Sequence, residues 1–280
     1  SAVSVAAPRQ PRLVNIPLLT NSSRSQNTIT IFLWTEYFST QFTDDYYFFL
    51  PGNKTFPRYN CQYQCSVTAD RKLLTSVDAV LFHITNFKSN VKLPNKRRLH
   101  QRWILYGIEA PRLIKLPWQK IDGLFNWTMT YREDSDIPVR YGHICEGTLP
   151  VKAHDNDFLE KKDKDVVWIV SKCHTPSNRE EYVRKLKAFI SVDIYGKCGD
   201  KVCLPTQSAK CYEDILRTYK FYLAFENSIC KNYVTEKFFN VLNFDIVPVT
   251  LGGANYSRFA PPGSFINAMD YPDPRKLAEY

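Results

Sequence analysis

The sequence predicts an α/β protein of two Rossmann-like, doubly wound domains facing across a cleft. Three observations carry this. Tyr219 to Gly253 alternates strand, helix and strand: an apolar run Phe221–Phe225 ends in Glu226-Asn227-Ser228, Thr235-Glu236-Lys237 opens an amphipathic helix, and Ile246–Leu251 closes on Gly252-Gly253. The runs Val77–His83 and Val166–Ser171 are apolar without alternation, which is how parallel strands covered on both faces read. Between the halves, Leu149 to Asp165 is charged and aperiodic, the composition of a domain boundary. The 280 residues suffice for two modest cores.

The elements follow in order. Residues 1–27, rich in Pro, Ser, Asn and Arg, read as a stem or linker. The first domain is 28–150. It opens on the strand Thr28–Trp34, passes a turn-rich stretch from 40 to 72, and continues with strands at Val77–His83, Arg102–Ile108 and Phe125–Tyr131. The second domain is 165–280. After Val166–Ser171, Ser177 and Glu180 have capping-box spacing. The helix they start runs to about Ile190, with Tyr182, Val183, Leu186, Phe189 and Ile190 on one face. Val192–Tyr195 is the next strand.

Composition excludes several classes. No run of ~20 apolar residues is present, so nothing reads as a membrane span. The chain opens on Ser1 with no signal peptide. A net charge of +9 does not make a nucleic-acid binder, because no basic module with interleaved stacking aromatics is visible. The run Lys92, Lys96, Arg97, Arg98 reads as a solvated face, and the overall bias suits an anionic small ligand. Eight cysteines, with four sequons at Asn21, Asn53, Asn126 and Asn255, point to an oxidising lumen. Cys61 and Cys65 lack a matching Cys/His pair for zinc, so disulfides are expected, with one local closure among Cys198, Cys203 and Cys211.

Candidate chemistry gathers at strand ends and helix starts. Lys237 stands in a helix's first turn, against the dipole, a conflict that a bound anion removes. Arg179, the second residue of the earlier helix that Ser177 and Glu180 start, follows a strand and loop, a good place for a phosphate. Glu109 closes an apolar strand just before Pro111, where it is either a loop carboxylate or a general base. His83, His143, His154 and His174 show no ligand spacing and no partner Ser or Cys, and read as ordinary polar residues, with His83 at a strand end. Trp34, Trp103, Tyr106 and Trp118 are either core or a platform for sugar faces. The triplets Asp134-Ser-Asp136, Asp155-Asn-Asp157 and Asp163-Lys-Asp165 read as solvated or structural, and no metal site is expected.

Four segments in order, IEAPR (Ile108–Arg112), Asp122–Gly142, VVWIVSKC (Val166–Cys173) and FYLAFENS…CKNYVTEKFFN…IVPVTLGGANY (Phe221–Tyr256), resemble the α1,3/4-fucosyltransferases of glycosyltransferase family 10. YGKCGDKVCLP (Tyr195–Pro205) is similar to the plant and invertebrate branch. The resemblance implies the GT-B arrangement and inverting transfer of L-fucose from GDP-fucose to a GlcNAc hydroxyl, in α1,3 linkage. The acceptor is then an N-glycan or an N-acetyllactosamine unit. It casts Glu109 as the base, and Arg179 and Lys237 as diphosphate ligands. Glu236 falls to the ribose or fucosyl ring, Asn227 and Tyr233 to the nucleotide sugar, and Ser171 and Tyr222 to positions near the nucleoside. No cofactor or metal is required. The setting is the Golgi lumen, with the membrane reached only through an anchor outside this chain. Three departures stand out: Ala110 replaces the motif's Ser, Lys172 stands where many members carry Asn, and the chain stops at Tyr280 where members continue, so the second domain reads as incomplete. Two rival readings are a catalytically silent GDP-sugar or glycan-binding protein, and a transferase of another nucleotide sugar on the same fold.

Overall fold

A computed structural model describes residues 28–35, 64–86, 92–114, 118–144, 162–203 and 209–280, with short strands at 18–19 and 52–54. The chain divides into two units, Ser1–Val139 and Arg140–Tyr280. The stem at 1–27, apart from its two-residue strand, and most of the predicted boundary stretch, residues 149–161, lie outside the described residues.

In chain order the first unit holds β1 (Leu18–Leu19), β2 (Thr28–Leu33), β3 (Gly52–Lys54), β4 (Gln64–Thr68), β5 (Ala79–His83), β6 (Arg97–Arg98), β7 (Arg102–Gly107), a turn of helix α1 (Trp118–Ile121), β8 (Trp127–Thr130) and β9 (Ile137–Pro138). Seven strands form one sheet, β3-β4-β2-β5-β7-β8-β9, and β1 pairs with β6 apart from it. Every pairing in the large sheet is parallel except that of β3 with β4. β5 is buried at all five positions, as its unbroken apolar sequence requires. Trp34, Trp103 and Tyr106 are core residues, so three of the four aromatics offered as a sugar platform are spent on packing; the Trp118 side chain is outside the described set.

The basic run is not a uniformly solvated face. Arg97 lies over the Trp103 ring at 4.5 Å and donates to Leu124 O at 2.9 Å and to Asn126 Oδ1. Burial, then the neighbouring Arg102, lowers its pKa. The Asn126 oxygen also accepts from Trp103 N at 2.9 Å, so this sequon side chain braces the loop between α1 and β8.

The second unit holds β10 (Lys164–Ile169), α2 (Arg179–Leu186), β11 (Val192–Tyr195), α3 (Ala209–Thr218), β12 (Tyr219–Phe225), α4 (Glu236–Phe239), β13 (Val247–Leu251), β14 (Ile266–Asn267) and α5 (Pro274–Glu279). Its five strands run parallel in the order β11-β10-β12-β13-β14. Alternation along the strands separates two cores. Val166, Trp168, Leu223 and Phe225 pack with Val183 and Leu186 of α2 and Leu277 of α5; Val167, Tyr222 and Ala224 pack with Leu216 of α3 and Phe238 of α4. Helices therefore cover both faces, which is the doubly wound plan. The chain leaves β10 towards one sheet edge and returns to start β12 beside it. The C-terminal ends of β10 and β12 are thus the topological switch point, where ligands bind in open α/β sheets.

Two disulfides brace this unit, Cys173–Cys198 and Cys203–Cys211; the second is the expected local closure. Lys162 is buried and donates to the carbonyls of Leu216, Arg217 and Tyr219 at 3.2, 3.3 and 2.8 Å, closing the end of α3 with a cation. Lys162→Met should lower stability by about 1–3 kcal/mol through those carbonyls, read as a smaller urea midpoint at an unchanged slope.

The predicted capping box does not form. Asn178, at φ 54°, is the N-cap and gives no side-chain bond, so Arg179 is the first helical residue rather than the second. The Ser177 hydroxyl donates instead to Glu226 O at 2.7 Å, and Glu180 reaches back to accept from the Thr175 hydroxyl at 2.9 Å. Helix α2 buries Arg179, Val183 and Leu186, while Phe189, expected on the apolar face, lies beyond its end and is exposed.

Candidate functional site

Glu109 lies two residues past β7, half-buried, between Ile108 and the fully buried Ala110. Ala110 is the N-cap of a 3-10 turn at Pro111–Leu113 and makes no side-chain cap bond, the direct consequence of Ala at that position. His83 is buried at the end of β5, its ring 5.4 Å from that of Tyr106.

In the second unit the predicted residues, apart from Tyr222 within β12, lie on helix starts and on the loops that follow β10 and β12. Arg179 is buried, not displayed: its terminal nitrogens donate to the carbonyls of Phe225 and Lys172, and its guanidinium sits 5.4 Å from the Trp168 ring centre. It ties the ends of β10 and β12 together. Burial lowers its pKa, opposed by Glu226 and then Glu180. Ser171 and Lys172 are exposed at the end of β10. Asn227 lies two residues past β12 and is buried. Tyr233 is buried, edge-on to Tyr141 at 6.3 Å. Tyr222 belongs to the core beneath, hydrogen-bonded to Tyr212; burial, then Tyr212, pushes its hydroxyl far above the usual range.

Helix α4 is a single turn continued as a 3-10 segment, Asn240–Asn243, so the cationic character here rests on Lys237 itself and not on a long helix dipole. Thr235 caps the turn, accepting from Lys237 N. The Lys237 ammonium meets three oxygens: Thr235 Oγ1 at 2.8 Å, Glu236 Oε1 at 2.8 Å and Glu226 Oε2 at 3.4 Å. Glu236 is half exposed. Partial desolvation raises its pKa, but the Lys237 charge and the local hydrogen bonds outweigh that and hold it below the usual range.

In the same unit, among the described residues, five buried polar atoms have no hydrogen-bond partner: Arg179 Nε, Asn227 Oδ1, Ser228 Oγ, Asn232 Oδ1 and Tyr256 OH. Such a group costs about 1–3 kcal/mol when unpaired, so each calls for a partner, an ordered water or a bound polar group. Asn232 is held at φ 61°, further local strain in the same loop. The Gly252-Gly253 pair permits the close packing: a Cβ on Gly252 would come within 2.4 Å of Tyr256 OH, and one on Gly253 within 2.8 Å of Cys230 N.

Sequence reasoning gave Thr235 only its place at a helix start and assigned no role to Glu226, Ser228, Asn232 or Tyr256. For Glu226 the signal was present: a carboxylate directly after the apolar run Leu223-Ala224-Phe225 must either turn to solvent or find a partner.

Fold and site define a two-unit α/β protein whose second unit is doubly wound, with buried polar side chains at the strand ends of its switch point. Residues 26–142 match the family "Fucosyltransferase, N-terminal" and residues 159–280 match "Glycosyltransferase family 10 (fucosyltransferase) C-term". The chain belongs to glycosyltransferase family 10. It is 35% identical over 278 residues to "Alpha-(1,3)-fucosyltransferase C" of Drosophila melanogaster, covering 91% of this chain and 65% of that protein. It is 41% identical over 224 residues to the human "4-galactosyl-N-acetylglucosaminide 3-alpha-L-fucosyltransferase FUT6", covering 77% and 60%. The chain thus spans under two-thirds of the length of these relatives. Among solved structures it resembles an alpha1,3-fucosyltransferase (TM-score 0.57, 17% identity, 95% of this chain and 79% of that one) and an alpha1,3-fucosyltransferase with GDP-fucose (TM-score 0.54, 18% identity, 94% and 80%). The fold is therefore the GT-B type expected.

Proposed function

We propose that this protein transfers L-fucose from GDP-fucose to a GlcNAc hydroxyl of a glycoprotein glycan, in α1,3 linkage with inversion. The observation that carries the donor half is the set of buried polar atoms without a partner among the described residues, on Arg179 and the segments after β12 and β13, in the unit that also places Lys237 after β12. A nucleoside diphosphate sugar supplies what that set lacks, both negative charge and hydrogen-bonding oxygens. Membership of the family, and a neighbour of like fold that takes GDP-fucose, support the same ligand.

In this reading Lys237 carries the diphosphate charge. Arg179 ties the two strand ends together, and its Nε, without a partner among the described residues, is left for the ligand. Asn227, Tyr233 and Glu236 bind the sugar and ribose, and Ser171 lies at the nucleoside edge; Tyr222 supports the floor from beneath. Glu109 takes the acceptor proton as the anomeric carbon is attacked opposite the departing diphosphate, through an oxocarbenium-like transition state. We place the reaction in the Golgi lumen, in keeping with two disulfides and four sequons.

The direct test is incubation with GDP-fucose and defined N-glycan and N-acetyllactosamine acceptors, with linkage analysis of the product. An α1,3-fucosylated GlcNAc supports the assignment; GDP-fucose binding without product turns it into a binding protein. Turnover should also survive EDTA. Asp134 is engaged by Arg132, Asp136 by the amide and hydroxyl of Thr128, and Asp165 by Lys220; among the described residues no three His, Cys, Asp or Glu side chains gather as a metal set. Loss of activity in EDTA with recovery on manganese addition would overturn this metal-independent scheme.

A further inference from the structure

Glu226 is fully buried, yet it is a carboxylate. It accepts from Thr235 N at 2.8 Å and from Thr235 Oγ1 at 3.0 Å, and its cationic contact is Lys237 Nζ at 3.4 Å. Four other groups bear on it. Glu236, on the same short helix, repels it. Arg179, on α2, adds a positive charge. The unpartnered hydroxyl of buried Tyr256 approaches from the turn after β13. Ser177 bonds only its backbone carbonyl. The local charge balance is therefore two cations against two carboxylates, and an arriving diphosphate disturbs it.

The two carboxylates respond differently. Glu236 is half exposed and can turn to water. Glu226, with no exposed surface, has no such outlet. If an anion takes up the Lys237 ammonium, Glu226 is left as a poorly compensated buried charge, a state costing several kcal/mol unless the group neutralises.

Resting on Lys237 as the diphosphate ligand, we propose that Glu226 is a further working residue of the donor site: it holds Lys237 in place while the site is empty, and takes a proton from solvent when the donor diphosphate claims that lysine. Donor binding is then proton-coupled. Burial already raises the Glu226 carboxyl against the opposing pull of Lys237 and Thr235, so little further push is needed. The linkage sign follows: the bound state holds more protons, so affinity rises as pH falls, by at most about tenfold per pH unit for one coupled proton.

Calorimetric titration with GDP-fucose, without acceptor, in buffers of different ionisation enthalpy reads this directly. Both phosphates of that probe are diesterified, so no monoester proton of pKa about 6 confuses the count. The wild-type protein should show proton uptake and a dissociation constant that falls with pH. Glu226→Gln, which keeps the shape, should lose both effects, and Glu236→Gln should retain them. Binding without buffer dependence overturns the inference, as does uptake that survives in Glu226→Gln or disappears in Glu236→Gln. The wild-type buffer series decides alone if Glu226→Gln fails to fold. Absence of any GDP-fucose binding removes the donor site itself, and the inference with it.

Discussion

Glu109→Gln should lower kcat by about 10²–10⁴-fold, the range for loss of a general base, and leave GDP affinity unchanged. Gln reproduces the size and polarity of Glu but cannot accept the acceptor proton. Ala110 beside it is completely buried and the chain continues into the Pro111–Leu113 turn, so the backbone holding the side chain is fixed by packing that the substitution does not touch. The predicted donor ligands all lie in the other unit, after residue 140, which is why binding and turnover should separate. Calorimetry with GDP, alongside initial rates at saturating donor, measures both. A variant that keeps kcat within about threefold of wild type would remove Glu109 from the chemistry. A parallel fall in GDP affinity would recast it as a donor-binding group.

The parts of this molecule legible in its sequence are those where one residue pattern has one physical outcome. The unbroken apolar runs became β5, β10 and β12, because such runs are stable only between two covering layers. Thr235 capping Lys237 follows from a hydroxyl placed before a helical turn. Where two local solutions compete, the pattern misleads. Ser177 and Glu180 have capping-box spacing, but Asn178 in the left-handed region turns the chain first, and both side chains find other partners. Arg179 reads as a charge displayed at a helix start. Its actual position, under the strand ends and against Trp168, depends on carbonyls of β12 and of the loop after β10, which are remote in sequence. The same holds for the Glu226–Lys237 pair and Tyr256, whose proximity is created by the βαβ crossover and the tight Gly252-Gly253 turn.

Lys237→Met should produce two losses that a second substitution pulls apart. The first is donor affinity: a hydrogen bond to a charged group is worth about 1.5–3 kcal/mol, so the dissociation constant should rise by about ten- to a hundredfold. The second is stability, because Glu226 loses its closest cation while remaining buried; removing one partner of such a pair costs about 3 kcal/mol or more. The pH dependence of the second loss has a definite sign. Glu226 is raised by burial even with Lys237 present, and removing the lysine raises it further. A carboxyl with a raised folded-state pKa contributes its stability fully below the unfolded value, about 4.3, and loses it as pH rises through the folded value. The variant's deficit in melting temperature should therefore be small at acid pH and grow towards pH 8. Adding Glu226→Gln removes the stranded charge, so the double variant should recover most of the lost stability while its donor affinity stays low. Recovery of affinity together with stability would mean that Lys237 serves only to neutralise Glu226 and never touches the diphosphate. A single variant as stable as wild type at pH 8 would mean that Glu226 is neutral from the start. The double-variant comparison thus separates the two roles of one lysine: internal counter-charge in the empty site, and ligand for the donor's diphosphate when it arrives.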